Sequence, residues 1–493
     1  MFRLAPFALA LALVSGAPEE DRMESIPGYE GKLPFNMYSG FLDYTLDDVE
    51  VHTHYVLAEP DSPLVGDPLI FWSNGGPGAS SMFGFTTEVG PFSLNGDSMT
   101  TQEYLDTGIP TLFPNPDSWT NLGDLLIFEA PAPVGFSYCG DDVAGPGTSC
   151  GDWTDERASK NNYLALQAFY AKFPEKLVKP LYLSGESYAG VYIPTLAREI
   201  VEGAETSPVK INLKGFAVGD ACTGTEVLCG DTGQGPWWDL TFMYGHGQFS
   251  TKTYDAIIKE CTEAKLKYPG EEGLSDECNT LLSTMDAEIG GYYDYALYDD
   301  CTYENGLMLA HKQWRKSSNA GGALNDYTCG GGEAMEYYAT VPAVREALNV
   351  DPDSYFFSGD NGVGFNYTLT EKNLIPFYKD LAVGKYADQG IRVMVYNGDT
   401  DPGINSFVAQ NWTSHVGLEE TAAWRPWTLD NCLAMGGYVT EYEGDFSFAT
   451  IRGAGHMVPT YKPEAMYELI SSWIGDKDLK KYDGSCETPA GEL

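Results

Sequence analysis

Positive charge is scarce in this chain of 493 residues: 29 lysines and arginines stand against 71 aspartates and glutamates, leaving −42 at pH 7 with histidines neutral. Nucleic-acid binding needs clustered basic side chains to displace condensed counterions, so this balance excludes a nucleic-acid partner, and an anionic membrane would repel the chain too. Histidine is scarcer still, with six residues, so candidates for a base working near neutral pH are few. After the first 17 residues no apolar run approaches the roughly 18 needed to span a membrane. There are no internal repeats, and the last four residues, Ala-Gly-Glu-Leu, are no retention signal. Hydrophobic residues nevertheless make up 43% and aromatics 13%, enough to exclude a largely disordered chain.

The start reads Met-Phe-Arg, then an apolar stretch from Leu4 to Val14, then the small residues Ser15, Gly16 and Ala17. Charge, greasy run and small residues make a signal peptide over residues 1–17, and the expected route is secretory, ending in a vacuole, a lysosome or outside the cell. All ten cysteines follow that segment, and an even count in an oxidising compartment favours disulfides over metal sites. The short separations of Cys139 from Cys150 and of Cys261 from Cys278 point to local bridges. Asn366 and Asn411 head glycosylation sequons, consistent with that route.

Hydrophobic runs bounded by glycine or proline recur at Pro68 to Trp72, Leu125 to Phe128, Leu181 to Leu183, Leu213 to Val218, Ile391 to Tyr396 and Phe446 to Ile451. They read as buried strands. Apolar residues of Asp155 to Phe173 fall at helical spacing with Thr154 or Asp155 as N-cap, and Pro463 to Ile474 reads as a closing helix. Alternation of this kind predicts an α/β fold with a central, mostly parallel sheet flanked by helices. Residues 222–334 break the pattern with six cysteines and a tyrosine cluster. They are expected to form a disulfide-containing cap inserted between core segments 18–221 and 335–493.

Ser187 lies between the run Leu181 to Leu183 and a helical stretch continuing through Pro194 to Ile200. In such a strand-to-helix turn a serine hydroxyl is lifted above the sheet edge, and Gly185 and Ala189 must be small for neighbouring backbone to approach. The strict Gly-x-Ser-x-Gly pattern is broken by Ala189, followed by Gly190. Among the histidines only His456 sits in a glycine-flanked loop after a late strand. His52 and His54, two apart on a strand, read as surface residues rather than metal ligands. Asp399 and Asp401 follow the run Ile391 to Tyr396, and chemistry alone does not choose between them. The order Ser, Asp, His is that of α/β-hydrolases.

Gly185-Glu-Ser-Tyr-Ala-Gly190, Trp72-Ser-Asn-Gly-Gly-Pro-Gly78, Tyr396-Asn-Gly-Asp-Thr-Asp401 and Gly453-Ala-Gly-His-Met-Val-Pro459 together resemble the four signature segments of the serine carboxypeptidases, in the family's order, from about Tyr38 to Trp473. The resemblance implies an α/β-hydrolase fold and hydrolysis of the last peptide bond of peptides and proteins at acid pH. It assigns Ser187, Asp401 and His456 to the triad, and an oxyanion hole to the N–H groups of Gly76 and Tyr188. Asn74, Gly75, Glu88 and Glu186 would bind the substrate carboxylate. A carboxyl can bind a carboxylate only by donating a proton, so one of the two glutamates must be protonated when substrate binds. Met457, after the histidine, would line the pocket of the departing residue and favour hydrophobic C-termini. No metal or other cofactor is implied, the partners are peptide C-termini, and homo-oligomerisation is left open.

The sequence departs from the family in places. Ala79 replaces a frequent cysteine, so Cys329 must pair elsewhere or remain free, and Ile404 stands where many members carry a free cysteine. Two rival readings remain: an acyltransferase using the same triad, against which the retained Glu186, Glu88 and Asn74 speak, and a non-catalytic binding protein on a hydrolase scaffold.

Overall fold

The structure, a computed structural model, describes residues 17–482 except 64–65, 144–149, 205–208, 230–234, 271, 300, 305–306, 310–327, 359–364 and 430–433. Residues 1–16 of the expected signal peptide, with Cys432 and Cys486, lie outside the described residues.

The uninterrupted apolar runs fold as strands buried on both faces, the position that such runs require. One twelve-stranded sheet holds, in chain order, β1 (Arg22–Met23), β2 (Met37–Leu46), β3 (Val49–Ala58), β4 (Leu69–Ser73), β5 (Asp124–Phe128), β6 (Tyr138–Cys139), β7 (Leu181–Glu186), β8 (Leu213–Gly219), β9 (Arg392–Gly398), β10 (Glu420–Thr428), β11 (Met435–Tyr442) and β12 (Phe446–Ile451). In space they run β1-β2-β3-β5-β4-β7-β8-β9-β12-β11-β10, with β6 paired to β3. The six central strands from β5 to β12 are mutually parallel. Antiparallel strands close both ends, so the sheet is mixed.

Side chains alternate across the sheet. Leu69, Phe71, Leu183 and Val395 belong to one buried cluster, whereas Ile70, Trp72, Tyr182 and Met394 belong to the other. The helix Asp155–Lys172 begins with Thr154 accepting from the Arg157 N–H, and the helix Pro463–Ile474 has the expected limits. Helix Ala189–Gly203 carries Pro194 inside it.

His54 is a correction. It is fully buried on β3, hydrogen-bonded to Ser39 at 2.9 Å, and burial pushes its pKa down to about 3. The pairing of β2 with β3 covers a residue that the two-residue spacing placed outside. His52 instead meets Asp43 at 2.7 Å.

Within 222–334 the alternation gives way to helices Trp237–Gly245, Thr251–Cys261, Glu263–Lys267 and Asp276–Ile289, packed around their own cluster of Leu240, Phe242, Ile257 and Leu266. Disulfides join Cys139 to Cys150 and Cys261 to Cys278, as the spacings predict, and further ones join Cys222 to Cys229 and Cys301 to Cys329. Cys329 thus pairs elsewhere. Among the described residues no helix is long and apolar enough to cross a membrane.

Candidate active site

Four adjacent parallel strands, β7, β8, β9 and β12, end at one edge of the sheet, and the candidate chemistry stands on the loops that leave them. Ser187 follows β7 directly at φ 63°, a conformation costing a non-glycine residue about 1 kcal/mol or more. Its neighbours enforce it: the Ser187 N–H donates to Gly219 O at 2.9 Å, and its carbonyl accepts from Gly190 N at 2.9 Å and Cys222 N at 3.0 Å. A Cβ on Gly185 would lie 2.3 Å from Ser73 O, and one on Gly190 2.3 Å from Cys222 O, so both must be glycine. Ala189, by contrast, is accommodated with no exposure, which explains why the broken motif still makes the turn.

Asp401 and His456 meet at 2.7 Å, Oδ2 to Nδ1, in a nearly dry setting: Asp401 has no exposed surface and His456 only 5%. The other Asp401 oxygen accepts from the Gly403 N–H at 2.9 Å. Asp399 points elsewhere and accepts from the Gly453 N–H at 2.6 Å. Of the two acids that sequence chemistry left open, Asp401 is the one that meets the imidazole. The loops carrying the two residues touch, because a Cβ on Gly398 would lie 2.2 Å from Gly455 O. Segment 222–334 reaches both loops: Tyr295 O accepts from the His456 N–H at 2.7 Å, and the Leu297 N–H donates to Thr400 O at 2.9 Å.

The loop after β4 lies against the serine turn. A Cβ on Gly75 would fall 2.3 Å from Tyr188 N, so the two backbones approach as only glycine allows, and Gly76 adopts φ 109°. Tyr188 is anchored at its far end by Asp155, 2.6 Å from its hydroxyl.

Beside these lies the acidic pair. Asn74 Nδ2 donates to Glu88 Oε1 at 3.1 Å and to Glu186 Oε1 at 3.0 Å, while Asn74 Oδ1 accepts from Trp72 Nε1 at 2.9 Å and Gly84 N at 3.0 Å. The amide orientation is thereby fixed and both its N–H groups are engaged, so a substrate carboxylate reaches Asn74 only by displacing one of these bonds. Both glutamates are buried. Burial first, then the opposing Glu88 charge, push Glu186 well above the usual carboxylate range; burial also raises Glu88, against hydrogen bonds from Asn74 and Glu186. The pair therefore keeps a proton at pH values where ordinary glutamates have lost theirs.

Met457 and Glu88 line one cavity of about 220 Å3 with Phe83, Thr87, Leu94 and Asp117. Asn366 is exposed and donates to Asp152 at 2.9 Å, whereas Asn411 is half-buried in the helix Ser406–Ser414.

Two buried acids escaped sequence reasoning. Asp220, one residue past β8, puts an oxygen within 4.8 Å of donor atoms of Asp401 and His456. Such a trio can hold a cation elsewhere, yet here its atoms are engaged with one another and with backbone N–H groups. Its position at the same strand-end edge was the available signal. The other, Glu129, accepts from Ser80 Oγ at 2.9 Å and Met82 N at 3.2 Å, tying down the glycine loop. Burial pushes it up to about 7, against those hydrogen bonds.

A carboxyl raised on folding stabilises fully below its unfolded pKa and loses that contribution as pH rises through its folded one, here from about 4.5 to about 7. The loss is on the order of 3 kcal/mol. Calorimetry should therefore show Tm falling between pH 4.5 and 7.5, and falling less in Glu129→Gln. Parallel curves for the two proteins would contradict this.

The sequence model of the serine carboxypeptidase family matches residues 27–476. Serine carboxypeptidase-like 25 of Arabidopsis thaliana is 31% identical over 488 residues, covering 94% of this chain and 93% of the relative. Serine carboxypeptidase ctsa-4.1 of Caenorhabditis elegans is 29% identical, covering 96% and 97%. The solved Kex1(delta)p, a prohormone-processing carboxypeptidase from Saccharomyces cerevisiae, shares the fold with a TM-score of 0.65 at 20% identity, covering 94% of this chain and 97% of that one. The chain belongs to the serine carboxypeptidase family and is, by that membership, a serine-type carboxypeptidase hydrolase.

Proposed function

We propose that this enzyme removes single residues from the free C-termini of peptides and proteins at acid pH, through an acyl-enzyme on Ser187. The observation that carries the reading is the buried pair Glu88 and Glu186, held by Asn74 beside the serine turn. An endopeptidase needs no such group, whereas an exopeptidase must recognise a terminal carboxylate, and a carboxyl that keeps its proton recognises one by donating it.

Ser187 Oγ attacks the last peptide carbonyl while His456 takes its proton. Asp401, at Nδ1, orients the imidazole and stabilises its cation. The N–H groups of Gly76 and Tyr188 hold the oxyanion, each worth about 3 kcal/mol in the transition state. His456 then protonates the departing amine, the C–N bond breaks and the C-terminal amino acid leaves. Water, deprotonated by the same imidazole, attacks the ester and restores Ser187. The Gly75 N–H joins the acid pair in binding the carboxylate. Residues 222–334 act as a cap over the site, inserted between core segments 18–221 and 335–493. Residues 1–17 direct the chain to the secretory route, where Asn366 and Asn411 are glycosylation acceptors, and its destination is vacuolar, lysosomal or extracellular. The four disulfides support that route.

The apolar lining of Met457, Phe83 and Leu94 supports a preference for large hydrophobic C-terminal residues. The chain's overall negative charge attracts cations generally, but its field is screened over about 8 Å at physiological salt, so the lining decides. N-blocked dipeptides ending in leucine or phenylalanine should therefore show higher kcat/KM than those ending in lysine or arginine. A clear preference for the basic pair, abolished in Asp117→Asn, would transfer the specificity from Met457 to that acid.

A further inference from the structure

Asp220 is a third carboxyl in the neighbourhood of the imidazole, and its surroundings define its state. It has no exposed surface, and it sits at φ 42°, a conformation that aspartate and asparagine tolerate better than other side chains. Its N–H donates to Tyr396 O at 2.9 Å, which fixes its backbone to β9. Its Oδ1 accepts from Asn397 Nδ2 and from the Gly398 N–H, both at 3.0 Å, while Oδ2 meets that same N–H at the longer distance of 3.2 Å. The crowded oxygen is thus an acceptor, leaving Oδ2 to carry a proton. Donor atoms of Asp220, Asp401 and His456 lie within 4.8 Å of one another.

We propose that Asp220 is a positioning residue of the triad: as a neutral carboxylic acid it donates its O–H to Asp401, fixing the carboxylate that accepts the hydrogen bond from His456 Nδ1–H. Two buried carboxylates this close repel each other, so one keeps its proton, and Asp401 is the one already engaged by the imidazole. The titratable groups facing Asp220 are Asp401 and His456 from the loops after β9 and β12, Glu186 from the end of β7, and Tyr396 from β9. Burial first, then the Asp401 charge, push Asp220 well above the ordinary aspartate value, against the pull of the Gly398 N–H. As pH rises the proton is lost, the bond to Asp401 becomes a repulsion, and the imidazole loses its fixed partner.

The inference rests on the reading of Ser187, Asp401 and His456 as catalytic, so the test runs Ser187→Ala in parallel. N-blocked amino-acid esters serve as substrate, because they carry no terminal carboxylate and leave the Glu88 and Glu186 pair out of the profile. Asparagine presents the same shape, with an N–H donor toward Asp401 and an oxygen for Gly398. Asp220→Asn should therefore keep kcat within about threefold of wild type at pH 6 and carry its alkaline limb at least about one pH unit higher. Asp220→Ala should lose about 10²-fold in kcat with KM little changed, as expected when a reacting group is held about 1 Å out of place. If Ser187→Ala is dead while Asp220→Ala turns over like wild type, or Asp220→Asn has the wild-type alkaline limb, the inference is wrong and the triad stands. An active Ser187→Ala overturns both. Should Asp220→Ala not fold, the asparagine profile decides alone.

Discussion

Replacing Ser187 with alanine is expected to lower kcat for peptide hydrolysis by about a millionfold, with His456→Ala costing nearly as much. The double variant should be scarcely worse than either single one. In the proposed mechanism nucleophile and base act in one step, so removing one leaves the other without work, and residual turnover comes from the oxyanion donors and substrate binding. Neither change is expected to unfold the protein. The Ser187 turn is held by backbone bonds to Gly219, Gly190 and Cys222 that alanine keeps. His456→Ala does strip Asp401 of its Nδ1 partner, so a modest fall in Tm is expected there and not in Ser187→Ala. Rates for the three variants that multiply rather than plateau would contradict a triad.

The second large effect is on KM. In the proposed recognition, binding a terminal carboxylate requires the proton kept by the pair Glu88 and Glu186. Both carboxyls are raised by burial, so the proton is present at acid pH and is lost as pH rises past the ordinary carboxylate range. Above that transition KM for peptides should climb by about tenfold per pH unit, the slope of one required proton. Esters and amides at the C-terminus carry no charge to be repelled, so their KM should stay flat over the same range. Glu88→Gln supplies an N–H donor at every pH and should flatten the peptide profile. KM values measured for matched acid and amide substrates from pH 4.5 to 8.5 check this. Identical profiles for the two substrates would remove the carboxyl pair from recognition.

The central strands were legible because a parallel sheet covered on both faces demands unbroken apolar runs, as in Leu69–Ser73 and Asp124–Phe128. Apart from the strand carrying His52 and His54, the flanking antiparallel strands were not. Glu420–Thr428 is largely exposed and shows no such run, and the pairing that buries His54 is a tertiary fact invisible in its two-residue spacing from His52. Motif residues were readable because glycines bracket them for steric reasons that the structure makes explicit at Gly75, Gly185 and Gly398. Asp220 was not, since a single acid after a strand carries no motif, and its meaning comes from Asp401, 181 positions away in the chain. Disulfides divided similarly. The bridge from Cys301 to Cys329 depends on how the intervening segment folds, and no spacing rule could supply it.

The most direct test of the account is reaction with an organophosphate followed by peptide mapping. The expected result is one phosphoryl group per chain, on Ser187, formed in step with loss of carboxypeptidase activity and slowed severely in His456→Ala. Full inhibition with the label on another residue, or full labelling of Ser187 with peptide hydrolysis intact, would contradict it.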